Sequence, residues 1–154
     1  MSLHRCVTEW ALQHDEDFIH GRYSRGHAVT FEGGHVVPGT ASPQVVGNKW
    51  AEKGAVDPEE MLVAAISTCH MLTFLHVARL KGFVVVHYRD AAEGLMAPNA
   101  QGRQAITRVT LKPEITYSGT GPSPAERDRL HHEAHEQCFI ANSVTTEVVV
   151  EDAG

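Results

Sequence analysis

Between Asp57 and Gly82 the chain reads DPEEMLVAAISTCHMLTFLHVARLKG, and this stretch limits the possible folds more than any other. Asp57 is placed to cap a helix, Pro58 suits the first helical position, Glu60 completes a capping-box spacing, and both glutamates favour the positive end of the helix dipole. Gly82 closes the segment. About 24 residues at 1.5 Å each make a rod of about 36 Å. It is apolar around most of its circumference, so it belongs at the centre of a fold. Its length would span a bilayer, but Ser67, Thr68, His70, Thr73, His76 and Arg79 interrupt the apolar run and are costly in hydrocarbon. A core helix is therefore expected, with no membrane partner.

The flanking sequence supplies strands. Arg5–Leu12 and Ala28–Glu32 have strand character and are separated by a polar, charge-rich loop. Residues 33–55 are punctuated by glycine and proline and leave room for a short strand or two. After Gly82, FVVVHYRDAA is β-branched. A loop is expected around Gly94–Gly102, and AITRVTLKPEITY nearly alternates, with Pro113 marking an edge or a bulge. Ser123 and Pro124 open a second helix that is expected to run to about Phe139, and VTTEVVVE ends the chain as a strand. The order is strands, long helix, strands, helix, strand, without βαβ alternation or internal repeat. This predicts a single α+β domain over 1–154, with N-terminal strands and loop in 1–55, the central helix in 57–82 and the remainder in 83–154.

Nineteen acidic against 13 basic side chains leave a formal charge of −6, so no basic field favours nucleic acid, and a small or uncharged substrate fits better. Three cysteines, Cys6, Cys69 and Cys138, are too few and too irregular for a secreted disulfide framework. The cytoplasm is the expected compartment. A cysteine on a buried helix most often serves as a small hydrophobe, and Cys69 shares a face with Leu62, Ala65, Leu72 and His76. Cys138 lies at the end of the second helix, and two such thiols in a reducing compartment can also form a redox pair, one attacking and the other resolving. A reactive thiol needs a cation or hydrogen-bond donors beside it. Arg22 and Arg25, on a glycine-flanked loop, are the candidates, Arg25 first. Glu59 lies ten residues before Cys69, about 15 Å along a continuous helix, so it cannot reach that sulfur from its own helix without a bend. Cys6 has no assigned role.

DPEEMLVAAISTCHMLTFL, GFVVVHYRDAAEG, ITRVTLKPEITY and HHEAHEQCFIANSVTTEV together resemble the OsmC/Ohr superfamily, the osmotically inducible and organic hydroperoxide resistance proteins. The resemblance covers essentially the whole chain after residue 20. Its most specific elements are the Pro-Glu pair ten residues ahead of a helical cysteine and a second cysteine about 70 residues later. It implies an intertwined homodimer whose long central helices are wrapped by antiparallel β-sheets. It also implies a thiol peroxidase for organic, lipid-like hydroperoxides. Cys69 would be the peroxidatic thiolate, Cys138 the resolving thiol with which it forms a disulfide, and Glu59 the carboxylate that orients an arginine, for which Arg25 is the choice and Arg22 the second. No bound cofactor is implied, only an external dithiol reductant of the lipoyl type. His70, directly after Cys69, and His27 are not features of the best-known branches.

Two other readings compete. Eleven histidines bring metal to mind, and His131, His135 and Cys138 follow i, i+4, i+7 spacing within an arc of about 60° on one helix face. Against a metal, HHEAH is not the HExxH pattern and no CxxC accompanies it. These histidines are expected to face solvent or to tune the resolving thiol. The second competing reading is a noncatalytic binding protein on the same fold.

Overall fold

The computed structural model describes residues 1–152. The chain forms two compact units, Met1–Met61 and a second that begins at Leu62.

In the first unit three antiparallel strands lie in the order β1-β2-β3: β1 Cys6–Glu9, β2 His27–Phe31 and β3 Val36–Gly39. The β2–β3 turn needs a left-handed residue, supplied by Gly34 at φ 81°. Val29 of β2, paired with Val37, is the buried centre of this sheet. The charge-rich loop between β1 and β2 is anchored by aromatic packing. Phe18 stacks on Tyr23 with centroids 4.7 Å apart, Trp10 meets Tyr23 edge-on at 5.4 Å, and the Trp10 indole N–H donates to the Ser24 carbonyl at 2.9 Å. A short helix, α1 Pro43–Val46, lies within the glycine- and proline-punctuated segment.

The long helix α2, Pro58–Leu80, starts as the sequence requires. The Glu60 amide donates to the Asp57 carboxylate at 2.8 Å, and the Asp57 amide donates to the Glu60 carboxylate at 3.0 Å, a reciprocal capping box. Gly82, at φ 84°, turns the chain out of the helix.

In the second unit β4 Val84–Asp90 pairs with β7 Pro113–Ser118, and a second sheet has the order β5-β6-β8, with β5 Glu93–Pro98, β6 Gln104–Leu111 and β8 Glu147–Val150. The second half of α2 packs Phe74, Val77 and Ala78 against Leu130 and Ala134 of α3, Pro124–Gln137, and against Val85, Tyr88, Ile115 and Tyr117 of the β4–β7 sheet. Its first half sets Ile66 on Val109 and Leu111 of β6, with Val148 and Val150 of β8 around them. One stripe of α2, Ile66, His70, Phe74, Val77 and Ala78, is thus buried at helical spacing, whereas Leu72 stays 59 % exposed.

Three expectations change. The region around Gly94 is a strand: Gly94 lies in β5 opposite Val109, where any Cβ would come within 2.5 Å of Val63, so its lack of a side chain serves close packing and does not mark a loop. Pro113 is the break at which the alternating run leaves one sheet (β6) and enters another (β7), and the buried ring stands opposite Asp90. The sheets are not wholly antiparallel, because the chain returns through α3 to lay β8 parallel to β6.

Candidate active site

α2 carries Cys69 on the margin between its buried stripe and its open side, where the thiol is partly buried. Helix α3 opens with a capping box between Ser123 and Glu126 and stops at Gln137. Cys138 is its C-terminal cap, in extended backbone and 1 % exposed, so it sits at the point where the chain turns and not on a helical face. The Cys69 side chain is near enough to Cys138 to act on its proton affinity. The turn after Cys138 aims backbone donors at both sulfurs: the Ile140 amide points at Cys69 Sγ over 3.5 Å and the Ala141 amide at Cys138 Sγ over 3.4 Å. Burial, followed by the hydrogen bond with Cys69, pushes the Cys138 thiol above its ordinary value against the pull of these amides. Cys138 is therefore held as a thiol at neutral pH, and both cysteines are free.

Phe139, next to Cys138 in the chain, is 82 % exposed and Leu72 is largely open, so neither closes an apolar lining. Cys6 is exposed on β1.

Arg25 and Glu59 belong to the first unit and line one pocket of about 210 Å³, together with His27, Thr40, Ser42 and Pro58. Among the described residues no ion pair joins them. The Arg25 guanidinium lies 3.7 Å over the Tyr23 ring and donates to the carbonyls of Gly21 and Tyr23, so the loop itself holds it. One Glu59 carboxylate oxygen is buried without a hydrogen-bond partner, which leaves an acceptor available in this pocket. Arg22 is exposed and does not line the pocket. His27 lines it: its Nδ1 meets the Arg25 carbonyl at 2.8 Å, and its ring lies flat on Gly39, where a Cβ would fall 2.2 Å from Nε2. The sequence marks His27 only as unusual, because its partner glycine is 12 residues away on the neighbouring strand.

Of the α3 histidines expected to face solvent or to tune the resolving thiol, His132 is exposed but His131 is buried against His70. His70 is 1 % and His131 5 % exposed, and His70 Nε2 lies 3.0 Å from His131 Nδ1. His131 Nε2 in turn lies 3.3 Å from the Asp152 carboxylate, which Arg127 Nε grips at 2.7 Å. Burial pushes His70 down to about 4, helped by His131 and His135, and burial lowers His131 against the opposing pull of Asp152. Both rings are thus neutral at pH 7. Among the described residues no three His, Cys, Asp or Glu side chains converge as metal ligands, so the i, i+4, i+7 face of α3 does not assemble the site its spacing allowed.

Residues 51–151 match the OsmC-like protein family. Over 99% of both chains the fold superposes on an OsmC-like protein of unknown function from Vibrio cholerae, with 43% identity and a TM-score of 0.95. Organic hydroperoxide resistance proteins share the fold at lower identity. One from Legionella pneumophila is 21% identical at a TM-score of 0.65, covering 99% of this chain and 97% of that one. Another, from Elizabethkingia anophelis, solved with crystallant-derived thiocyanate bound, is 16% identical at 0.71, covering 99% and 94%. No functionally curated protein matches the chain in sequence. Within this fold α2, although long and apolar enough to cross a membrane, is a core helix.

Proposed function

Because the chain belongs to the OsmC-like family, we propose that it is a cytoplasmic, thiol-dependent peroxidase that reduces organic hydroperoxides to alcohols. The observation that carries this reading is that one turn aims adjacent backbone amides at the Cys69 and Cys138 sulfurs, with Cys69 near enough to act on the Cys138 thiol. A second, protonated thiol within reach is what a sulfenic acid needs for its resolution.

The Cys69 thiolate attacks the terminal oxygen of ROOH. The O–O bond breaks, the departing alkoxide takes up a proton to leave as ROH, and Cys69 becomes a sulfenic acid. Cys138 condenses with it, an S–S bond forms, and water leaves. An external dithiol, of the lipoyl type, restores both thiols by exchange. In this reading Arg25, and not Arg22, is the active-site arginine, and Glu59 is the carboxylate that would orient it once the loop releases the guanidinium. This is supported by the pocket that Arg25 and Glu59 share and by the unpartnered Glu59 oxygen. The exposed apolar side chains of Leu72, Leu80, Val84, Val86 and Phe139 support a homodimer. A hydrocarbon tail on the substrate gains about 0.8 kcal/mol for each methylene buried, which favours organic over hydrogen peroxide.

The test is a steady-state assay with cumene hydroperoxide and a dithiol. Cys69→Ser abolishes reduction, Cys138→Ser limits the enzyme to a single turnover, and chelators leave the rate unchanged. Peroxide reduction retained by Cys69→Ser would reject the reading, and chelator-sensitive activity would favour a metal site.

A further inference from the structure

The chain Asp152–His131–His70 has only one possible direction. Asp152, gripped by Arg127, offers only lone pairs, so the His131 Nε2–H donates to it. A neutral His131 then has its lone pair at Nδ1, and the His70 Nε2–H donates into it across 3.0 Å. The chain ends at His70 Nδ1, a buried atom with no hydrogen-bond partner. The ring planes of the two histidines are 8° apart, and Phe74 stacks on His131 at 4.4 Å, so the imidazoles are fixed on both sides.

The placement of this chain relates it to the thiols. His70 follows Cys69 directly on α2, and His131 precedes the cap Cys138 by seven residues, two turns back along α3. The His70–His131 hydrogen bond therefore ties the cysteine-bearing helix to the helix that delivers the other cysteine. It needs one proton and one lone pair at the contact. A second proton on His131 occupies Nδ1 and sets donor against donor, whereas one on His70 goes to the orphaned Nδ1 and leaves the contact intact.

We propose that His70, His131 and Asp152 are positioning residues for disulfide formation, a clamp between α2 and α3 that keeps Cys69 and Cys138 within reach and holds only while the His131 imidazole is neutral. This rests on the reading that the two thiols join. The groups facing the clamp are His135, Arg127 and Asp128 on α3, Asp152 after β8, and Tyr88 and Tyr117 from the β4–β7 sheet. Burial lowers His131, so the clamp is intact at neutral pH.

The experiment uses the whole reduced protein and has two arms. In the first, nitrogen-15 NMR of the imidazoles is followed from pH 7 downward. Both rings should show a protonated Nε2 and a bare Nδ1 at neutral pH, with His70 titrating far below a free histidine. An Nδ1–H tautomer at either ring, or a His131 that takes up its second proton as readily as a free histidine, overturns the clamp. In the second, diamide oxidises the thiols, accepting their two electrons and two protons so that the same S–S bond forms without a hydroperoxide. His131→Ala, which removes the acceptor, should slow bridging about tenfold, the worth of one buried hydrogen bond, whereas His131→Asn, which keeps an acceptor at the δ position, should stay within about twofold of wild type. Equal rates in all three proteins, or equal slowing by both substitutions, overturns the proposal. Should His131→Ala fail to fold, the NMR arm on the wild type decides. A protein that bridges with diamide as described but ignores cumene hydroperoxide retains the clamp and loses the peroxidase reading.

Discussion

Acidifying the protein from pH 7 to pH 5 should weaken its fold by about 2 kcal/mol through His70 alone. The folded protein holds this ring neutral, with its proton affinity pushed down to about 4 from the ordinary 6.5, mainly by burial. The unfolded chain therefore takes up a proton first as pH falls. The stabilisation is fully present above about pH 6.5 and is lost progressively as the pH drops toward 4, at up to 1.4 kcal/mol per unit. His131, lowered in the same direction, adds to the loss. Urea unfolding monitored by circular dichroism on the reduced protein measures this directly. With a slope of 1–3 kcal/mol per molar, about 2 kcal/mol moves the midpoint by about 1 M. His70→Gln keeps a donor at the ε position but cannot be protonated, so its midpoint should fall less than the wild-type midpoint over the same range. Parallel pH dependence in the two proteins would refute the argument.

Two substitutions test the packing that places the cysteines. Gly94→Ala puts a methyl 2.5 Å from Val63 on α2, and should cost about 1–3 kcal/mol in thermal or urea unfolding; an unchanged midpoint would show that α2 is free to move away from β5. Asp57→Ala removes one half of the capping box that begins α2, with an expected loss of about 1 kcal/mol and faster amide exchange confined to the first turn.

What the sequence discloses is what local chemistry decides. The cap at Asp57, the proline after it, the stop at Gly82 and the cap at Ser123 are each set by residues within one turn, and all of them stand in the structure. The strand around Gly94 is hidden because its glycine answers to Val63, a residue 31 positions earlier, and not to its own neighbours. His131 reads as a surface residue of a charged helix because the group that satisfies it, Asp152, is 21 residues downstream. Family resemblance pairs Arg25 with Glu59, and the fold does bring them to one pocket, but without the ion pair that would fix their geometry. His27 is illegible as a pocket residue because its space is made by a glycine on the next strand. The pairing of Cys69 with Cys138 also comes from resemblance, since a separation of 69 residues by itself permits almost any distance.

Mass spectrometry of the reduced protein after one equivalent of cumene hydroperoxide tests the central claim most directly. The account predicts a peptide pair joined through Cys69 and Cys138, two hydrogens lighter than the reduced peptides. Cys69 recovered as sulfinic acid with Cys138 still a free thiol, or both cysteines unchanged while the peroxide persists, would contradict it.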